Sequence, residues 1–183
     1  MRKTWELIRP TFVLVVICLV ISSLLALTYN LAGVAELANA GYSSEQLAEF
    51  ASTALPEADE LKQVKVSTED ESFHSAYKAQ NGTGMAIVLV TKGYNSDGMT
   101  VMYGFDNGGV MRGVCVIAQN ETPGIGDKVA TDAEYLGRFA GQPADSFTVD
   151  TVAGATKTST GLINGAKHAF ELFDQLKGEV LGE

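Results

Sequence analysis

Cysteine is nearly missing from this chain: Cys18 and Cys115 are the only two among 183 residues. One lies in an uncharged apolar run and the other in an apolar, strand-like run, so no disulfide framework is expected. Cys115 reads as a small packed hydrophobe. Histidine is equally scarce, and His74 and His168 stand far apart. These four residues give no ligand spacing for zinc, haem or an iron–sulfur cluster, so no metal site is expected. Met85, Met99, Met102 and Met111 read as core fillers rather than a metal path. No G-x-S-x-G, H-E-x-x-H or P-loop pattern occurs. Basic charge is also short, with 13 Lys and Arg against 22 Asp and Glu, a net −9. Only Arg2, Lys3, Arg9 and Glu6 precede residue 36, so the part from there on, ten basic and 21 acidic residues, carries −11. A domain this acidic is not drawn to nucleic acid, and anionic headgroups repel it.

Charge of either sign is absent between Arg9 and Glu36, and residues 11–27 are rich in Val, Ile and Leu. At about 1.5 Å per residue, roughly 20 helical residues cross a bilayer core, and this stretch suffices. The basic residues come before it and the next is Lys62, which keeps the N-terminus cytoplasmic and sends the rest across. Trp5 and Tyr29 stand near its two ends as interfacial anchors would. A cleaved signal peptide is the competing reading, since Ala38-Asn39-Ala40 has the A-x-A form, but that site lies well beyond the apolar centre. A pilin-like helix lacks its processing site here. The expected organisation is a cytoplasmic N-terminus over 1–10, a transmembrane anchor in membrane lipid over 11–30, a helical connector over 31–60 and an extracytoplasmic domain over 61–183.

Within the connector, Ser43 or Ser44 is placed to cap a short helix over 45–53, ended by Pro56. Val64 and Val66 alternate with polar residues as in an edge strand. The runs 77–92, 99–105 and 110–119, divided by the turn-like segments 93–98 and 106–109, predict three antiparallel strands. Asp127 is a candidate cap for a helix to about Phe139, burying Tyr135, Leu136 and Phe139. Residues 147–152 read as one more strand, and 158–176 as a last helix with Leu162, Ile163, Ala166, Phe170 and Phe173 inward. The fold class is α+β: an N-terminal transmembrane helix, then a twisted antiparallel sheet packed with helices.

Two short segments carry chemistry. Residues 150–159 read D-T-V-A-G-A-T-K-T-S. The small residues Ala153, Gly154 and Ala155 let a bulky group approach the backbone beside Thr156. Thr158, Ser159 and Thr160 are candidate caps of the following helix, whose first N–H groups suit an anion. A phosphate on Thr156 would meet those amides and the positive end of the helix dipole. The plainer reading is a strand, a turn and a capped helix with no ligand. Residues 121–128 read E-T-P-G-I-G-D-K, where Pro123-Gly124 is first of all a tight turn.

Together the two segments resemble the FMN-binding domain of the G subunit of the Rnf ion-translocating electron-transport complex. The C subunit of the sodium-pumping NADH:quinone oxidoreductase has a related domain. That family's flavinylation motif, D-x-x-[ST]-G-A-T-x-[ST], is matched by Asp150, Gly154, Ala155, Thr156 and Thr158. Ala153 departs from it, removing a hydroxyl beside the attachment position. The resemblance implies FMN joined through its phosphate to the Thr156 hydroxyl as a phosphoester. It also implies a flavin transferase that recognises Asp150, Gly154 and Ala155, since threonine is a poor nucleophile without a base. Lys157 and Ser159 complete the cofactor-binding set on this side. Across from them the resemblance implies Glu121 and Thr122 at the ring edge, Pro123 and Gly124 in the turn, and Ile125 shielding a ring face. The expected function is an electron-carrier subunit of a ferredoxin–NAD complex that pumps sodium ions or protons, with other membrane subunits as partners and no independent catalysis. The alternatives are the quinone reductase's C subunit and a non-redox anchored ligand-binding ectodomain.

Overall fold

The computed structural model describes residues 13–23 and 42–182, in two units that divide between Gly41 and Tyr42. Of the first unit, residues 13–23 are helical and their Val, Leu and Ile side chains are exposed. Among the described residues no helix is long and apolar enough to cross a membrane. The rest of the expected 11–30 anchor, the 1–10 N-terminus and the connector through residue 41 lie outside the described residues.

The second unit is α+β. It opens with α1, Ser44–Ala54, whose Ser43 cap accepts from the Gln46 amide while the Gln46 side chain accepts from the Ser43 N–H. That reciprocal box stabilises the first turn by about 1 kcal/mol. Pro56 follows the helix end. Five antiparallel strands come next, paired in sequence order: β1 Leu61–Val64, β2 Phe73–Ala79, β3 Gly84–Thr91, β4 Met99–Asp106 and β5 Met111–Gln119. The run expected as one strand over 77–92 is two, because Asn81 and Gly82 turn the chain. Gly82 has φ +75°, and the Asn81 side chain accepts from the Thr83 N–H and hydroxyl.

Both faces of the sheet are covered, so β3 is apolar on both sides. Met85, Ile87 and Leu89 join Val101, Tyr103 and Phe105 under the last helix. Ala86, Val88 and Met102 meet Leu47, Ala51 and Ala54 of α1, and Leu55 just after it, on the other. Each fully buried Leu, Ile or Phe adds about 1.5–3 kcal/mol. The four expected core methionines are completely buried. Cys115 is half-buried behind α1, and burial, with the charge of Glu49, pushes its thiol pKa up to about 11.

After β5 the single helix expected from Asp127 to Phe139 is two short ones, α2 Gly126–Thr131 and α3 Ala133–Gly137. Asp132 breaks them, leaving its helical conformation to accept from the N–H groups of Glu134 and Tyr135. Asp127 is not the N-cap of α2; it sits in the first turn, where its side chain accepts from the Lys128 N–H. Tyr135, Leu136 and Phe139 are buried as expected. Residues 147–152 do not join the sheet. The Gln142 side chain occupies both the N–H and C=O of Thr148, while Phe147, Val149 and Val152 pack on the core. The chain closes with α4, Thr156–Leu181. It lies across β3, β4 and β2 and buries Leu162, Ile163, Ala166, Phe170 and Phe173. Gly161 and Gly165 let it sit close, since a Cβ at Gly165 would fall 2.2 Å from the Tyr103 hydroxyl.

Candidate functional site

Strands β3 and β5 run in the same direction, so the β3–β4 loop and the loop after β5 emerge at one end of the sheet. The turn before α4 arrives there too. Between the three lies a cavity of about 350 Å³ lined by Tyr94, Thr122, Ile125, Gly126 and residues 154–158. Its size is that of a small-molecule pocket.

Thr156 is the first residue of α4 and is exposed. Gly154, at φ +86°, makes the turn that a side chain would oppose. The Ala155 N–H then bonds to the Val152 carbonyl, and Ala155 takes the N-cap position without a side-chain cap. The helix thus starts two residues earlier than expected, and Thr158, Ser159 and Thr160 lie inside it rather than capping it. The Ser159 hydroxyl donates to the Ala155 carbonyl at 3.0 Å and accepts from the Val152 N–H at 3.1 Å. Thr158 is 1% exposed and donates to Glu121 at 2.5 Å. The first turn of α4 has no side-chain cap, and residues 154–158 line the cavity; the first N–H groups of a helix have no partner within it.

Glu121 turns inward. It is 5% exposed, and its carboxylate accepts from the N–H groups of Tyr94 and Asn95 at 3.1 Å as well as from Thr158. Those donors compensate the buried charge. Gly93 and Gly126 close on it from two sides, for a Cβ at either would fall 2.3 and 2.6 Å from a carboxylate oxygen. Glu121 therefore pins the β3–β4 loop to α4 and is not among the residues that line the cavity. Pro123 and Gly124, the latter at φ +79°, form the turn that returns the Ile125 and Gly126 N–H groups to the Thr122 carbonyl. They do not line the cavity either, whereas Thr122 and Ile125 do. Asp150 is exposed on the approach to the turn, outside the lining.

Sequence reasoning missed Tyr94 and Gly126. Tyr94 is 65% exposed and Ile125 51%, so two apolar side chains stand open at the cavity mouth. The Lys157 ammonium lies 4.9 Å from the centre of the Tyr94 ring. The signal in the sequence is an aromatic inside a glycine-bounded turn, a segment whose composition otherwise speaks only of the turn. Among the described residues no group of three or more His, Cys, Asp or Glu is placed to hold a metal ion.

Residues 93–171, which span all three loops, match the model of the FMN-binding domain. The G subunit of the ion-translocating oxidoreductase complex of Shewanella piezotolerans is 28% identical over 146 residues, covering 67% of this chain and 68% of that protein. The C subunit of the Na(+)-translocating NADH-quinone reductase of Pasteurella multocida is 27% identical over 137 residues, covering 63% and 52%. The Pseudomonas aeruginosa G subunit is 30% identical over 123 residues, covering 58% and 57%. The chain thus spans between about half and two thirds of the length of these relatives.

FMN combines a flat apolar ring system with an anionic phosphate. The residues present fit both: Tyr94 and Ile125 are open apolar surface, and the uncapped helix start with Lys157 is an anion seat. Thr156 is the first residue of that helix start and lines the same cavity.

Proposed function

We propose that the protein is a membrane-anchored electron-carrier subunit of an ion-translocating oxidoreductase complex, with FMN held covalently on Thr156. One observation carries the reading: an exposed threonine hydroxyl opens the uncapped end of a 26-residue helix, beside a cavity with an apolar mouth. Attachment forms a bond from Thr156 Oγ1 to phosphorus, with loss of the hydroxyl proton and of the donor nucleotide's leaving group. His168 is no base for that proton, for it lies about three turns along α4 and faces Asp70 and Glu171. A separate flavin transferase therefore matures the protein. Bound FMN supplies reversible electron uptake and release; the chain's own residues position it and exclude water from one side. The uncharged N-terminal stretch, helical at 13–23 with its apolar side chains outward, supports the anchor. Covalent linkage suits an extracytoplasmic site, where a dissociated cofactor is lost.

The similarity to the C subunit of a Na(+)-translocating NADH-quinone reductase favours a second reading, the same carrier in a quinone-reducing pump. The test for the shared claim is co-expression with a flavin transferase, followed by intact mass and in-gel fluorescence after denaturation. The wild type is expected to gain one flavin mononucleotide and Thr156→Ala none. Thr158→Ala is expected to keep the adduct, because that hydroxyl is buried against Glu121. An unmodified wild type would leave only a non-redox ligand-binding ectodomain.

A further inference from the structure

Among residues 42–182, three large apolar side chains are exposed, Val90, Tyr94 and Ile125, and two of them flank the cavity beside Thr156. Tyr94 is the sole aromatic in the lining. Its main chain is fixed, because the Glu121 carboxylate holds its N–H and that of Asn95. Its ring is not packed away, and one face carries the Lys157 ammonium. Such a contact at an exposed site is worth only about 0.5–1 kcal/mol, so a flat ring with more contact area displaces it readily. A rigidly anchored backbone with an open aromatic face is the arrangement a stacking platform needs.

We propose that Tyr94 is the platform on which the isoalloxazine packs, in the place the Lys157 ammonium takes in the free protein. Lys157, released, turns its long stem to the phosphoester on the neighbouring Thr156. The inference rests on the flavin reading above and adds the side chain that orients the ring. Tyr94 is thus a positioning residue toward the cofactor. Ile125, at the other side of the mouth, limits the ring's freedom to swing away.

An electron-rich aromatic in contact with a flavin quenches its emission, so orientation is readable without any turnover. The full chain, Tyr94→Leu and Tyr94→Trp are each co-expressed with a flavin transferase and their adducts counted by intact mass. Flavin emission is then compared before and after unfolding in denaturant. The wild type and Tyr94→Trp are expected to brighten several-fold on unfolding. Tyr94→Leu is expected to carry the same adduct yet to be bright already when folded, with little further change. Because Tyr94 is exposed, its far-UV circular dichroism should match the wild type. Equal adduct and equally quenched folded emission in wild type and Tyr94→Leu would overturn the platform while leaving the proposed function intact. A wild type without adduct would overturn both.

Discussion

Glu121 illustrates how one buried carboxylate organises a site that it does not enter. It takes N–H donors from one loop and a hydroxyl from α4, so removing any partner leaves a polar group short in a place without water. Glu121→Gln keeps the shape but replaces an acceptor with an NH₂ group that faces other donors. It is expected to lower stability by about 1–3 kcal/mol. The urea midpoint measures that loss. Amide exchange should quicken at Tyr94 and Asn95 more than in the strands, because those N–H groups lose their acceptor. An unchanged midpoint with unchanged exchange at both would mean that the carboxylate is not the pin. The order of consequence is chemical: Glu121 sets the β3–β4 loop, the loop presents Tyr94, and Tyr94 lines the same cavity as Thr156.

At the scale of elements, α2 packs against that pin through a glycine. A Cβ at Gly126 would fall 2.6 Å from both the Glu121 carboxylate and the Thr158 hydroxyl. Gly126→Ala is therefore expected to cost about 1–3 kcal/mol by overpacking. Gly137→Ala, with nothing within 4 Å of its added Cβ, should be neutral or stabilising by up to about 1 kcal/mol. Thermal unfolding of the two variants side by side distinguishes packing from helix propensity. The same contrast explains what could be read from the chain beforehand. Turn glycines at 98 and 109, the Ser43 cap and the inward stripe of α4 declare themselves locally, and those elements were legible. The Asn81-Gly82 turn was legible too, since residues 78–84 are polar and glycine-rich and Asn-Gly is a strong hairpin signal; reading 77–92 as one strand passed over it. Residues 147–152 alternate like a strand, yet the side chain of Gln142 supplies the bonds a neighbouring strand would have made. In the site, Thr156 and the E-T-P-G turn were legible from motif spacing. The inward turn of Glu121 and the exposure of Tyr94 depend on contacts across 27 positions, which no local pattern records.

Across the whole second unit, one contact ties chain segments that lie 98 positions apart: the imidazole of His168, on α4, meets the carboxylate of Asp70 in the segment before β2. Burial alone would lower the His168 pKa, but hydrogen bonds to Glu171 and Asp70 outweigh it and raise it above the ordinary value. The Asp70 pKa is lowered, first by the Ser72 hydroxyl, then by the Ser72 N–H and His168. The histidine's contribution is complete below the ordinary imidazole value of about 6.5 and fades as pH rises through its raised value. The aspartate's stands above the ordinary carboxylate value of about 3.9 and fades as pH falls through its lowered one. The pair therefore ties the segment to α4 most strongly between those two ordinary values. With the His168 side chain 36% exposed, screening limits the pair to about 0.5 kcal/mol or less. His168→Gln should accordingly unfold at a slightly lower temperature than the wild type near the middle of that acid window. The two melting curves should converge on the alkaline side of the raised histidine value, where the wild-type imidazole is neutral as well. A gap that persisted undiminished at alkaline pH would assign the role of His168 to packing rather than charge, and the segment before β2 would then be held by shape alone.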